Sequence, residues 1–183
     1  KNIFVEGDKS LSIRFILLSS LSKGRCVAKN LLKSEDVISS INCIKKLGIK
    51  IRLEKSYCEV FGKGLNGYKY KRNIILNAGN SGTTARLLCA TLIDAKHNIK
   101  ITGDKSLRKR DMSRIINPLL KFGVRFKSTN KRLPLFIKGP KLLKPISYNE
   151  NLGSAQCKSA VMIAALKTQG KTKLKCLPSR NHT

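Results

Sequence analysis

The sequence predicts an α+β fold of repeated βαβαββ units, with near-parallel apolar helices buried inside and sheets outside. Three observations predict it. Apolar helical stretches alternate with short strands along the chain. The alternation returns at a steady interval: Ser10 and Ser81 lie 71 residues apart, Ser81 and Ala155 lie 74 apart, and Gly48–Gly123 and Asp36–Asp111 are each separated by 75. Each apolar helix follows a turn of small polar residues, "GDKS" at 7–10, "GNSGTT" at 79–84 and "GSAQ" at 153–156. Two full units and part of a third, about 1–64, 65–140 and 141–183, fit a single incomplete domain of 183 residues.

The elements follow in order. Lys-Asn-Ile-Phe-Val reads as a strand entered part-way, which implies residues upstream. "SLSIRFILLSSL" (10–21) is apolar on most sides and predicts a deeply buried helix. "RCVAKN" (25–30) is a strand. "SEDVISSINCIKKLG" (34–48) is a helix with Ser34 as its cap, Glu35 and Asp36 at its positive end and Gly48 as its stop. "IKIRL" and "YCEVFG" are paired strands. The second round gives an apolar helix at 81–93, a strand at 98–103 and a helix at 108–123 that closes on Gly123 and should kink at Pro118. "VRFKS" and "LPLFIKG" are two more strands. A third round starts at Ile146, with its apolar helix at 154–167.

The chain carries 38 Lys+Arg against 10 Asp+Glu, a formal net charge of +28. The cations are spread along the whole length, and the ten Phe and Tyr residues form no cluster for stacking bases, which argues against dedicated nucleic-acid binding. No apolar run is long enough to span a bilayer. Cys26, Cys43, Cys58, Cys89, Cys157 and Cys176 sit singly in apolar segments without a C-x-x-C pair, the pattern of buried thiols in a reducing compartment, so a cytoplasmic location is expected. His97 and His182 stand far apart, and no metal site is expected.

The turns point to chemistry. Backbone N–H groups at a helix start, together with the positive end of the helix dipole, favour anions, and small residues let an anion approach the backbone. Each turn alone is also an ordinary capped helix start. Three equivalent turns on parallel helices, with Lys9, Arg14 and Lys158 close by, suggest a shared site for a small polyanion.

The segments "GDKSLSIR", "NAGNSGTTARLL", "GDKSLRKRDM", "GSAQCKSA" and "SRNHT" resemble, in order and spacing, the motifs of the 5-enolpyruvylshikimate-3-phosphate (EPSP) synthase family, 3-phosphoshikimate 1-carboxyvinyltransferases with the enolpyruvyl transferase-like fold. The resemblance implies an enzyme that moves the enolpyruvyl group of phosphoenolpyruvate onto the 5-hydroxyl of shikimate 3-phosphate and releases phosphate. It implies no cofactor, a monomer, and a second domain, absent here, that supplies the proton-transfer carboxylates. The isolated chain would then be inactive. Carried over position by position, the resemblance places Lys9 between both substrates as the catalytic lysine. Ser10, Arg14, Ser154, Ala155, Gln156 and Ser179 would bind shikimate 3-phosphate. Asn80, Gly82, Arg110 and Gln156 would bind phosphoenolpyruvate.

Three positions depart from the family pattern: Asp111 stands where proline is usual, Asn181 where aspartate is usual, and Lys105 where an acidic residue is common. A carboxylate at 111 threatens to compete for Arg110. Two other readings are weighed. One is the related enolpyruvyl transferase acting on UDP-N-acetylglucosamine, whose reactive cysteine has no counterpart in residues 103–112. The other is a non-catalytic, basic nucleic-acid-binding module.

Overall fold

The computed structural model describes residues 5–177. The opening strand, Ser179 and the Asn181 departure lie outside or largely outside that range. The first round runs α1 (Lys9–Leu21), β1 (Lys23–Lys29), α2 (Glu35–Lys46), β2 (Lys50–Leu53) and β3 (Tyr57–Lys63). The second runs β4 (Ile75–Asn77), α3 (Gly82–Thr91), β5 (Ile99–Thr102), α4 (Lys105–Lys109), α5 (Ser113–Lys121), β6 (Arg125–Ser128) and β7 (Leu135–Lys138). The third gives β8 (Ser147–Glu150), α6 (Ala155–Ala165) and β9 (Lys173–Cys176).

The sheets repeat the same topology. β1-β3-β2 form one antiparallel sheet. The second sheet, β4-β5-β7-β6, has the same arrangement with a parallel strand, β4, added beside β5. β8 and β9 are parallel and are connected through α6, as β4 and β5 are through α3. Two parallel neighbours joined by a helix form the βαβ crossover.

α1, α3 and α6 lie side by side and point the same way. At one pole Gln156, in the first turn of α6, donates to the hydroxyl of Thr83, in the first turn of α3, at 2.9 Å. At the other pole the Tyr68 hydroxyl sits 2.6 Å from that of Ser20, near the end of α1, and close to Thr91, the last residue of α3. Lys167, just past α6, stands over the Tyr68 ring at 5.2 Å and pairs with Asp94 at 2.6 Å. Like ends therefore meet like ends. Ile13, Ile16, Leu17, Leu87, Leu88, Cys89, Ala160, Val161 and Ala164 fill the space between these helices. α2 packs against α1 and α3, and α5 against α3 and α6. Gly62 lets β3 approach the end of α1, where a Cβ would fall 2.2 Å from the Ser19 carbonyl.

The helix ends follow the sequence signals in most places. α2 stops in a Schellman turn: Gly48 adopts φ +85°, its N–H reaches the Lys45 carbonyl at 2.9 Å, and that of Ile49 reaches Ile44 at 3.4 Å. Gly123 follows the end of α5 at φ +92°, its N–H reaching the Leu120 carbonyl at 2.9 Å. Ser34 stands at the start of α2, but its hydroxyl makes no capping bond. Cys176 is exposed, against the expectation of burial, because it lies near the end of the two-stranded sheet. Cys43, Cys58, Cys89 and Cys157 are buried, and burial pushes the Cys43 and Cys89 thiols up to about 12.

The single helix expected over 108–123 is two helices. Arg110 closes α4 in an extended conformation, φ −76° and ψ 139°. The Asp111 carboxylate then accepts the Ser113 N–H at 2.8 Å, an Asx turn that restarts the chain as α5. α5 runs on through Pro118. Among the described residues no helix is long and apolar enough to cross a membrane, and no cluster of His, Cys, Asp or Glu has metal-binding geometry.

Candidate active site

The polar turns place the candidate residues at one pole, where α1, α3 and α6 begin. Each helix is capped at an equivalent position. Asp8 accepts the Leu11 N–H at 2.7 Å, Ser81 accepts that of Thr84 at 3.2 Å, and Ser154 accepts that of Cys157 at 3.3 Å. The three ends are not equally friendly to anions. A carboxylate caps α1 and offsets its dipole, whereas neutral hydroxyls cap α3 and α6. α1 therefore starts beside a carboxylate, whereas the caps of α3 and α6 are uncharged.

At the start of α3 the structure brings together Asn80, Gly82, Arg110 and Gln156. Arg110 donates to the Asn80 side-chain carbonyl at 2.8 Å, and the Asn80 amide donates to Asp104 at 2.5 Å. Asp104 also caps α4 through the Leu107 N–H at 2.7 Å. That bond, followed by the one from Asn80, holds the Asp104 carboxyl below the usual carboxylate range. A side chain at Gly82 would meet two guanidinium nitrogens, Arg86 at 3.2 Å and Arg110 at 3.3 Å, so the absent Cβ keeps open the space these cations face.

Arg86 was not among the candidates read from the sequence. It lies one helical turn after Gly82, the same relation that Arg14 bears to Ser10, and that spacing was the signal available for finding it. Its guanidinium donates to the Gln156 side-chain carbonyl at 2.7 Å. Burial, then the neighbouring Arg114 and Arg110, lower its pKa. The like charges of Arg110 and Arg114 thus disfavour the charged form of Arg86 here.

Asp111 does not capture Arg110. Its carboxylate is engaged with the hydroxyl and N–H of Ser113, bonds that hold its pKa down with help from Arg114 and Lys131.

On α1, Lys9 is exposed and pairs with Asp36 at 3.1 Å. Ser10 is half-buried beside it. Arg14 donates to the Ser10 carbonyl and to the Ser159 hydroxyl of α6, each at 3.2 Å, which fixes the guanidinium between two helices. Ser154 and Ala155 open α6. The Ser154 N–H, with that of Leu152, is taken by the buried Glu150 carboxylate at 3.1 and 2.9 Å, so the loop is held from beneath. The Ser154 hydroxyl accepts through its oxygen and keeps its proton to donate. Lys158 lies within α6 and is half-buried.

A family model described as EPSP synthase (3-phosphoshikimate 1-carboxyvinyltransferase) matches residues 1–183. The chain is 44% identical, over 184 aligned residues, to a 3-phosphoshikimate 1-carboxyvinyltransferase of Caldicellulosiruptor saccharolyticus, covering 99% of this chain and 42% of that protein. It is 43% identical to the protein of the same name from Ruthia magnifica, covering 98% of this chain and 41% of the relative. A solved EPSP synthase from Acinetobacter baumannii superposes with a TM-score of 0.91 at 34% identity, over 99% of this chain and 41% of that one. The chain thus spans about two-fifths of the length of the curated relatives it matches.

Proposed function

The chain belongs to the EPSP synthase family, and on that premise we propose that it forms part of an enzyme that transfers the enolpyruvyl group of phosphoenolpyruvate to the 5-hydroxyl of shikimate 3-phosphate. The observation that carries the reading is the meeting of Asn80, Gly82, Arg86, Arg110 and Gln156 at the paired starts of α3 and α6. Both substrates are anions. Preorganised donors at such a pole stabilise charge at no reorganisation cost during reaction. In this reading Arg110 and Asn80 hold phosphoenolpyruvate over Gly82. Arg14, Ser10, Ser154, Ala155 and Ser179 hold shikimate 3-phosphate, and Gln156 touches both. Lys9, freed from Asp36, bridges the two substrates. Proton transfer falls to a second domain, so this chain binds substrate without turning it over. No cofactor takes part, and a monomer in the cytoplasm fits the reading.

The test is an NMR titration of the chain with shikimate 3-phosphate and with inorganic phosphate. Half a cleft leaves water to screen the contacts, so an affinity on the order of millimolar, about −4 kcal/mol, is expected. Arg14→Ala should weaken shikimate 3-phosphate by about 1.5–3 kcal/mol and leave inorganic phosphate nearly unchanged. Equal shifts of the same resonances by both ligands, indifferent to Arg14→Ala, would sink the assignment.

A further inference from the structure

We propose that Arg86 is a positioning residue: it locks the side-chain amide of Gln156 in one orientation, turning an N–H towards the anion site. The proposal deepens the reading above and rests on Gln156 as a substrate contact. A glutamine amide has two nearly isosteric orientations. One offers N–H groups to an anion, and the other offers a carbonyl oxygen that repels it. Nothing in glutamine itself chooses between them.

The surroundings of Gln156 do choose. A guanidinium has only donors, so Arg86 at 2.7 Å must face the carbonyl oxygen. The flipped amide would set donor against donor. On its other side the amide nitrogen donates to the Thr83 hydroxyl at 2.9 Å. That bond uses one of two N–H groups, and the second is left for the site. The guanidinium is itself steered by the Asp111 carbonyl, 3.4 Å from its other terminal nitrogen. Arg86 and Thr83 both project from the first turns of α3, so the lock is built on a helix rather than on a loop. The Arg86 nitrogen beside Gly82 is thereby committed to Gln156, in contrast to Arg110, which is held through Asn80.

The experiment follows the Gln156 side-chain amide in the nitrogen-15 spectrum of the whole chain, assigned by its loss in Gln156→Ala. In the unsubstituted chain the two amide protons should be well separated and shifted from the free-glutamine positions. Arg86→Leu should return them towards those positions and weaken shikimate 3-phosphate about tenfold, close to the effect of Gln156→Ala. The double variant should bind no worse than Gln156→Ala alone. Gln156→Glu keeps the contact with Arg86 but loses the donors, so it should fold normally and bind at least tenfold more weakly. Arg86→Gln, whose side chain accepts as well as donates, gives the amide readout if Arg86→Leu does not fold. Unmoved amide resonances in Arg86→Leu or, where that variant does not fold, in Arg86→Gln, or additive losses in the double variant, overturn the positioning role. A Gln156→Ala chain that binds as tightly as the parent overturns the substrate-contact reading instead, and the amide resonances distinguish the two failures.

Discussion

At the scale of the residue, Tyr68 shows how one side chain reports on the packing around it. Burial holds its hydroxyl up to about 12, partly offset by bonds from Ser20 and Thr91. The folded chain therefore keeps this proton more tightly than the unfolded chain, whose tyrosines titrate near 10. Its contribution to stability is complete below pH about 10 and is lost as pH climbs to about 12. Tyr68→Phe lacks the proton, so the stability gap between it and the parent should narrow by on the order of 2 kcal/mol over that window. Denaturant melts from pH 9 to 12 check this, and a gap constant with pH would refute it. Nothing in the sequence marks Tyr68, because its neighbours come from α1, from α3 and from the turn just past α6. Lys9, Arg14, Arg110 and Gln156 were legible because contiguous motifs carry them. Arg86 was overlooked because its partner Gln156 lies 70 residues away.

At the scale of the element, strand and helix order was legible because each element declares itself locally, through alternation, caps and glycine stops. The break between α4 and α5 was not, since Asp111 forms its Asx turn within a segment whose apolar pattern reads as continuous. The two glycine stops differ in what they face. A Cβ at Gly48 would lie 2.7 Å from the Lys69 backbone carbonyl, whereas one at Gly123 would meet the Pro140 ring at 3.3 Å and a backbone carbonyl, that of Leu142, no nearer than 4.0 Å. Both positions have positive φ, so alanine costs about 1 kcal/mol at either from backbone strain. Gly48→Ala should cost at least about 1 kcal/mol more than Gly123→Ala, because a carbonyl in a bonded loop yields less than a ring edge. Thermal melts of the two variants give the ranking, and the reverse order would refute it.

At the scale of the whole molecule, the pole where the helices end is closed by a cation of the chain itself. The Lys167 side chain is 1% exposed and has Asp94 as its carboxylate partner. Asp94→Asn should cost about 3 kcal/mol by stranding that charge, whereas Lys167→Met, which removes the buried charge, should cost clearly less. Equal melting temperatures for the two variants would refute the asymmetry. Two of the three seams between the inner helices are filled, by α2 and by α5. At the third, between α1 and α6, Leu11, Leu18, Met162 and Leu166 are exposed along the faces that flank the Arg14–Ser159 bond. The carboxylate that caps α1 has a consequence of another kind. A scaffold built by repetition would, left to itself, make its helix starts interchangeable. Asp8, Ser81 and Ser154 hold the same place in three copies of one unit yet differ in charge, and Glu150 adds a carboxylate beneath the third, so repetition of the fold leaves the three helix starts chemically distinct.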